Sequence, residues 1–103
     1  MDTVFKIIVS NKAERDLRNI NDHIANFINV PMVAEDQLKR ITRAISSLST
    51  FPMRHKLYAP EIYSDLRVFP VDNYLIFYRV NENNKTVIIV RVLYNARDIQ
   101  LYL

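Results

Sequence analysis

Glycine does not occur anywhere in the chain. That absence excludes the phosphate-cradling loop of P-loop nucleotidases and the dinucleotide fingerprint, because both need backbone positions that only glycine fits. No nucleotide cofactor is expected. Cysteine is absent too, which removes a disulfide framework, a thiolate zinc site and a thiol nucleophile. No apolar run approaches the ~18 residues of a membrane-spanning helix, and Met1-Asp-Thr-Val-Phe-Lys lacks the basic-then-apolar pattern of a leader. The expectation is a soluble, cytoplasmic protein with no membrane partner.

What is present has the makings of one globular unit. Half of the 103 residues are apolar and 24% charged, enough for a single domain over 1–103 with one core. Fourteen Lys and Arg against eleven Asp and Glu give +3 and a pI near 9.3. That mild excess suits an anionic partner without requiring one.

Thr3 to Val9 is rich in β-branched and aromatic residues and predicts a first strand. Asn11 offers an N-cap with Glu14 three residues on. Ala13, Leu17, Ile20, Ile24 and Phe27 then mark one apolar face of a helix to about Asn29. Pro31 suits the first turn of a second helix, whose stripe is Ala34, Leu38, Ile41, Ile45 and Leu48. Phe51-Pro52 closes it, a loop with Arg54, His55 and Lys56 follows, and strands are expected at 61–70, 73–80 and 86–93. The order β-α-α-β-β-β predicts an α+β fold: an N-terminal strand and an antiparallel helical hairpin packed on an antiparallel twisted sheet.

The last two strands flank Asn81-Glu82-Asn83-Asn84, where asparagine's tolerance of positive φ would let a glycine-free chain turn. A four-residue loop pairs Val80 with Lys85, Tyr78 with Val87 and Tyr74 with Arg91. The more apolar face, Leu75, Phe77, Ile88, Val90 and Val92, is expected against the helices. The other, with Tyr74, Tyr78 and Arg91, is expected to meet a partner or the C-terminal tail.

Arginine in an apolar strand must reach solvent, pair with an acid or bind something. The set Arg54, Lys56, Arg67, Arg91, Tyr94 and Arg97 could support metal-free phosphodiester chemistry, cations stabilising transition-state charge and a tyrosine, Lys56 or His55 moving protons. Taken singly, each arginine is equally a surface group or half of an ion pair, such as Arg67 with Asp65 or Arg97 with Asp98. Asp16, Asp22, Glu35 and Asp36 are read as solvated helix charges, and no metal-ligand cluster is visible.

The strings Asp16-Leu17, Asp22-His23-Ile24, Leu66-Arg67, Asn73-Tyr-Leu-Ile-Phe-Tyr-Arg-Val80 and Val90-Arg-Val-Leu-Tyr-Asn-Ala-Arg-Asp98, in this order, resemble the RelE/ParE toxin superfamily of bacterial type II toxin–antitoxin systems. The resemblance covers nearly the whole chain, and its ending looks more like the ParE branch. It implies a toxin of the plasmid-stabilisation kind that inhibits growth through DNA gyrase and is neutralised by a cognate antitoxin, with a homodimer or a heterotetramer with the antitoxin as the assembly. Target or antitoxin contact would fall to Arg54, Tyr74, Tyr78, Arg91, Tyr94 and Arg97. The RelE branch implies instead a ribosome-dependent mRNA endoribonuclease, an mRNA interferase, with Arg67, Arg91 and Tyr94 as catalytic residues and His55 and Lys56 as weaker candidates. A third reading is a non-toxic relative that only binds antitoxin.

Overall fold

A computed structural model describes residues 4–23, 31–96 and 98–103, and for 23 and 31–34 the backbone only. Its elements are β1 (Lys6–Val9), α1 (Asn11–His23), α2 (Pro31–Ser47), α3 (Pro60–Tyr63), β2 (Arg67–Val71), β3 (Tyr74–Asn81) and β4 (Thr86–Tyr94). The predicted positions Ile24 and Phe27 lie outside the described residues. The strand expected from residue 61 starts at Arg67 instead, because Pro60 opens a single helical turn before it.

The four strands form one sheet in the order β1-β4-β3-β2. β2, β3 and β4 make the expected antiparallel meander, while β1 pairs in parallel with β4, so the sheet is mixed. The first helix is capped one residue earlier than expected. Ser10, not Asn11, takes the N-cap: its Oγ accepts the Ala13 N–H at 3.1 Å, and its carbonyl accepts the Glu14 N–H.

The two sheet faces are the reverse of the expectation, except that Val92 does meet the helices, because a bulge before it shifts it to the other side of the strand. Tyr74, Ile76, Tyr78, Val87, Ile89 and Val92 form the core with Ala13, Ile20, Ile41, Ile45 and Leu48 of the helical side. Phe77 and Val68 lie on the opposite side with Leu66, Ile99 and the partly buried Leu75, Val90, Tyr58, Tyr63 and Leu103. Both faces are therefore covered, one by the helices and the other by the segment around α3 and the C-terminal turn Ile99–Tyr102. Apolar content could not discriminate between two faces that are each half of a core.

The hairpin register also differs. Asn81 pairs with Thr86, Val80 with Val87 and Tyr78 with Ile89; the next pair is Phe77 with Arg91, leaving Val90 as the extra residue of a β-bulge. Asparagine makes this turn through its side chain, not through positive φ. Asn81 Oδ1 accepts the N–H groups of Asn83 and Asn84, and the left-handed position falls on Lys85 (φ 53°).

Candidate functional site

The bulge decides the fate of Arg91. An extra residue in β4 turns the strand just where β1 ends, so the β4 groups past Ile89 have no neighbouring strand on the β1 side. Side chains from the start of α1 complete the ladder instead. Ser10 Oγ donates to the Val90 carbonyl at 2.9 Å, and Asp16 Oδ2 accepts the Val92 N–H at 2.9 Å. Asp16 also takes Arg91 in a forked pair, Nε to Oδ2 and Nη2 to Oδ1, both 2.8 Å. The third arm of the guanidinium donates to the Tyr102 carbonyl of the C-terminal turn.

Arg91 is thus an internal staple joining helix, sheet and tail. Its side chain is 18% exposed and that of Asp16 9%. The carboxylate pairing holds the Arg91 pKa above its already high ordinary value, against the opposing pull of burial. Asp16 is accordingly no solvated helix charge. The sequence did carry a signal for it: Asp16 sits three residues after Ala13 and four before Ile20, inside the buried stripe of α1.

A second group gathers where α2 ends and β2 begins. Arg54 Nη1 donates to the carbonyls of Ser47, Thr50 and Phe51, and Nη2 to Ser47 Oγ, so it caps the C-terminus of α2. Its guanidinium also lies over the Phe69 ring, 5.8 Å from the centroid. Arg67 Nη1 donates to the Met53 and His55 carbonyls at 3.2 and 2.7 Å. The expected partner Asp65 pairs with Arg79 instead, at 2.9 Å. His55 stacks on Phe69 with ring centroids 3.8 Å apart, and its Nε2 is buried without a hydrogen-bond partner. Burial, helped by the Arg54 charge, lowers the His55 pKa and so favours the neutral imidazole. Lys56 is exposed.

The tyrosines divide. Tyr78 is fully buried, and its hydroxyl donates to the Pro52 carbonyl. Tyr74 is buried edge-to-face with Tyr94. Burial raises both pKa values above the ordinary phenol range, the opposite of what proton transfer near neutrality needs. Neither offers a surface to a partner. Tyr94 is exposed at the end of β4, paired across the strands with Tyr74, and Arg97 lies outside the described residues.

The structure brings Arg54, His55, Arg67 and Tyr78 together around one loop. Arg91 is separated from Arg67 by strand β3, and Tyr94 stands beyond it beside Tyr74. A shallow depression lined by Asp65, Arg79, Asn81, Glu82 and Ile88 contains none of the candidate residues. Among the described residues, no three His, Asp or Glu side chains converge, and no helix is long and apolar enough to cross a membrane.

Residues 7–99 match the family of ParE toxins of type II toxin–antitoxin systems, parDE. No curated protein sequence matches the chain significantly. Among solved structures, the chromosomal ParDE system of P. aeruginosa superposes with a TM-score of 0.75 at 20% identity, covering 91% of this chain and 99% of that one. The RelBE2 toxin–antitoxin complex of Mycobacterium tuberculosis gives 0.65 at 22% identity, covering 89% and 92%. An Escherichia coli RelE double mutant in the free state also gives 0.65, at 13% identity over 96% and 90%. At these identities the superpositions establish a shared fold.

Proposed function

This chain belongs to the ParE toxin family of type II toxin–antitoxin systems, and on that premise we propose that it arrests growth by binding a protein target, DNA gyrase, and is neutralised by a cognate antitoxin. One observation carries the choice of a protein target over RNA cleavage: the arginines a nuclease would need are engaged internally. Arg91 is held by Asp16 and the Tyr102 carbonyl, and Arg67 by the Met53 and His55 carbonyls. A guanidinium that already satisfies buried groups must break those bonds to stabilise a phosphorane, which offsets the gain. The tyrosine offered for proton transfer, Tyr94, has its ring against Tyr74.

An antitoxin partner is supported by the two superposed systems that pair a toxin with its antitoxin, ParDE and RelBE2. Of the candidate contact residues, Arg54 and Tyr94 present surface to such a protein, whereas Tyr74, Tyr78 and Arg91 act by holding the scaffold. The test is direct: purified toxin is titrated into a gyrase supercoiling reaction. Dose-dependent inhibition, reversed by the protein encoded beside the toxin gene, is expected. Unchanged supercoiling would remove gyrase as the target.

A further inference from the structure

The loop between α2 and α3 has an unusual surface. Phe51 is 79% exposed, and Met53 and Leu57, two and six residues further on, are exposed as well. Large apolar side chains on one loop normally turn inward unless the backbone is held otherwise, and here the backbone is held throughout. Tyr78 anchors the Pro52 carbonyl from the core. Arg54 ties the Thr50 and Phe51 carbonyls to the end of α2, and Arg67 holds the Met53 and His55 carbonyls from β2. Further along, the Lys56 carbonyl accepts the Val68 N–H, and the Tyr58 N–H donates to the Leu66 carbonyl. Phe51 itself sits in the left-handed region (φ 46°, ψ 53°), a position a bulky residue takes at some cost.

The stretch of sequence around it carries charge of one sign. From Gln37 to Pro60 the sequence contains no Asp or Glu but holds Lys39, Arg40, Arg43, Arg54 and Lys56. Lys39 and Arg40 are matched by Glu35 and Asp72. Arg43, Arg54 and Lys56 meet no carboxylate among the described residues. A backbone-ordered loop with a protruding aromatic, two further exposed apolar side chains and cations nearby in the sequence has features of a binding hot spot: little loop entropy remains to be lost on association.

We propose that Phe51, Met53 and Leu57 form the target-docking knob of this toxin, and that its occupant is a protein surface with an apolar pocket bordered by Asp and Glu. The inference rests on the reading of the protein as a toxin with a protein target. A nucleic acid is disfavoured by the side chains themselves. Met53 and Leu57 cannot stack on bases as aromatics do.

The experiment compares wild-type toxin with Phe51→Asp and Lys56→Glu. Thermal melts establish that the exposed substitutions leave the fold intact. Gyrase supercoiling titrations and growth arrest on induction then read target engagement. Phe51→Asp is expected to raise the inhibitory concentration at least roughly tenfold, and Lys56→Glu to weaken inhibition more at low salt than at high salt. Phe51→Asp that melts like wild type and inhibits equally overturns the knob. If wild type leaves gyrase unaffected yet arrests growth, the gyrase reading fails while the knob is judged by arrest: loss with Phe51→Asp supports it, persistence overturns it. Wild type that does neither overturns both. Tight binding of a single-stranded oligonucleotide by wild type but not by Phe51→Asp would assign the knob to nucleic acid and overturn it as a protein site.

Discussion

Removing Asp16 tests whether Arg91 is structural. Asp16→Ala deprives Arg91 of both forked acceptors and Val92 of the acceptor for its N–H. Breaking a buried ion pair from one side costs about 3–5 kcal/mol, and an unsatisfied buried N–H about 1–3 kcal/mol. The two share one carboxylate and do not add, so the expected loss is about 4 kcal/mol. For a domain of this size that lowers Tm by roughly 15–30 °C. Arg91→Met should cost somewhat less, since Asp16 keeps the Val92 N–H. The double variant Asp16→Asn, Arg91→Met restores charge balance and leaves an amide oxygen for Val92, so its deficit should shrink to about 1–2 kcal/mol. Urea melts followed by circular dichroism complete the mutant cycle. If Arg91→Met lies within about 1 kcal/mol of wild type, the staple is wrong. Toxicity supplies the second readout: a double variant that folds and still arrests growth confines Arg91 to the scaffold, whereas a folded but inert one makes its guanidinium a target contact.

Ser10→Ala should cost about 1 kcal/mol through loss of the α1 cap, with more from the lost donor to the Val90 carbonyl; Asn11→Ala should be near neutral, and chemical denaturation distinguishes them. Tyr78→Phe leaves the Pro52 carbonyl without its buried donor. It should cost about 1–3 kcal/mol and speed amide exchange in residues 53–56. His55 has a folded-state pKa below its ordinary 6.5, so the unfolded chain binds the extra proton first as pH falls. Its contribution is complete above about pH 6.5 and declines as pH drops from there toward the lowered value. His55→Phe, which preserves stacking on Phe69, should flatten the stability curve across that window, and an unchanged slope would show that His55 is not buried neutral.

The elements themselves were legible because their periodicities were clean. Ile41 and Ile45 fall on one buried side of α2, with Leu48 buried just past its end, and the three-stranded meander follows from its alternating strands. Face assignment was not legible, because it depends on what covers each side. Tyr74 and Tyr78 look like surface residues in sequence, yet Tyr78 is buried by a hydroxyl that finds the Pro52 carbonyl 26 residues earlier. The Val90 bulge has no marker such as glycine, and it redirects everything after it. Arg91 demanded a partner from the start. Its partner lay 75 residues away on α1, where Asp16 read as one more helix charge. Long-range polar pairing of this kind leaves only half a signal at each position.

The claim that this family member acts on a protein and not on RNA is tested most directly by inducing it in cells. Transcript integrity and the response to DNA breaks are then followed in the same culture. Intact mRNA at the onset of arrest, together with a DNA-damage response that a gyrase inhibitor mimics, is the predicted result. Codon-biased cleavage of translated mRNA preceding arrest, with no damage response and with loss of cleavage in Tyr94→Phe, would contradict it.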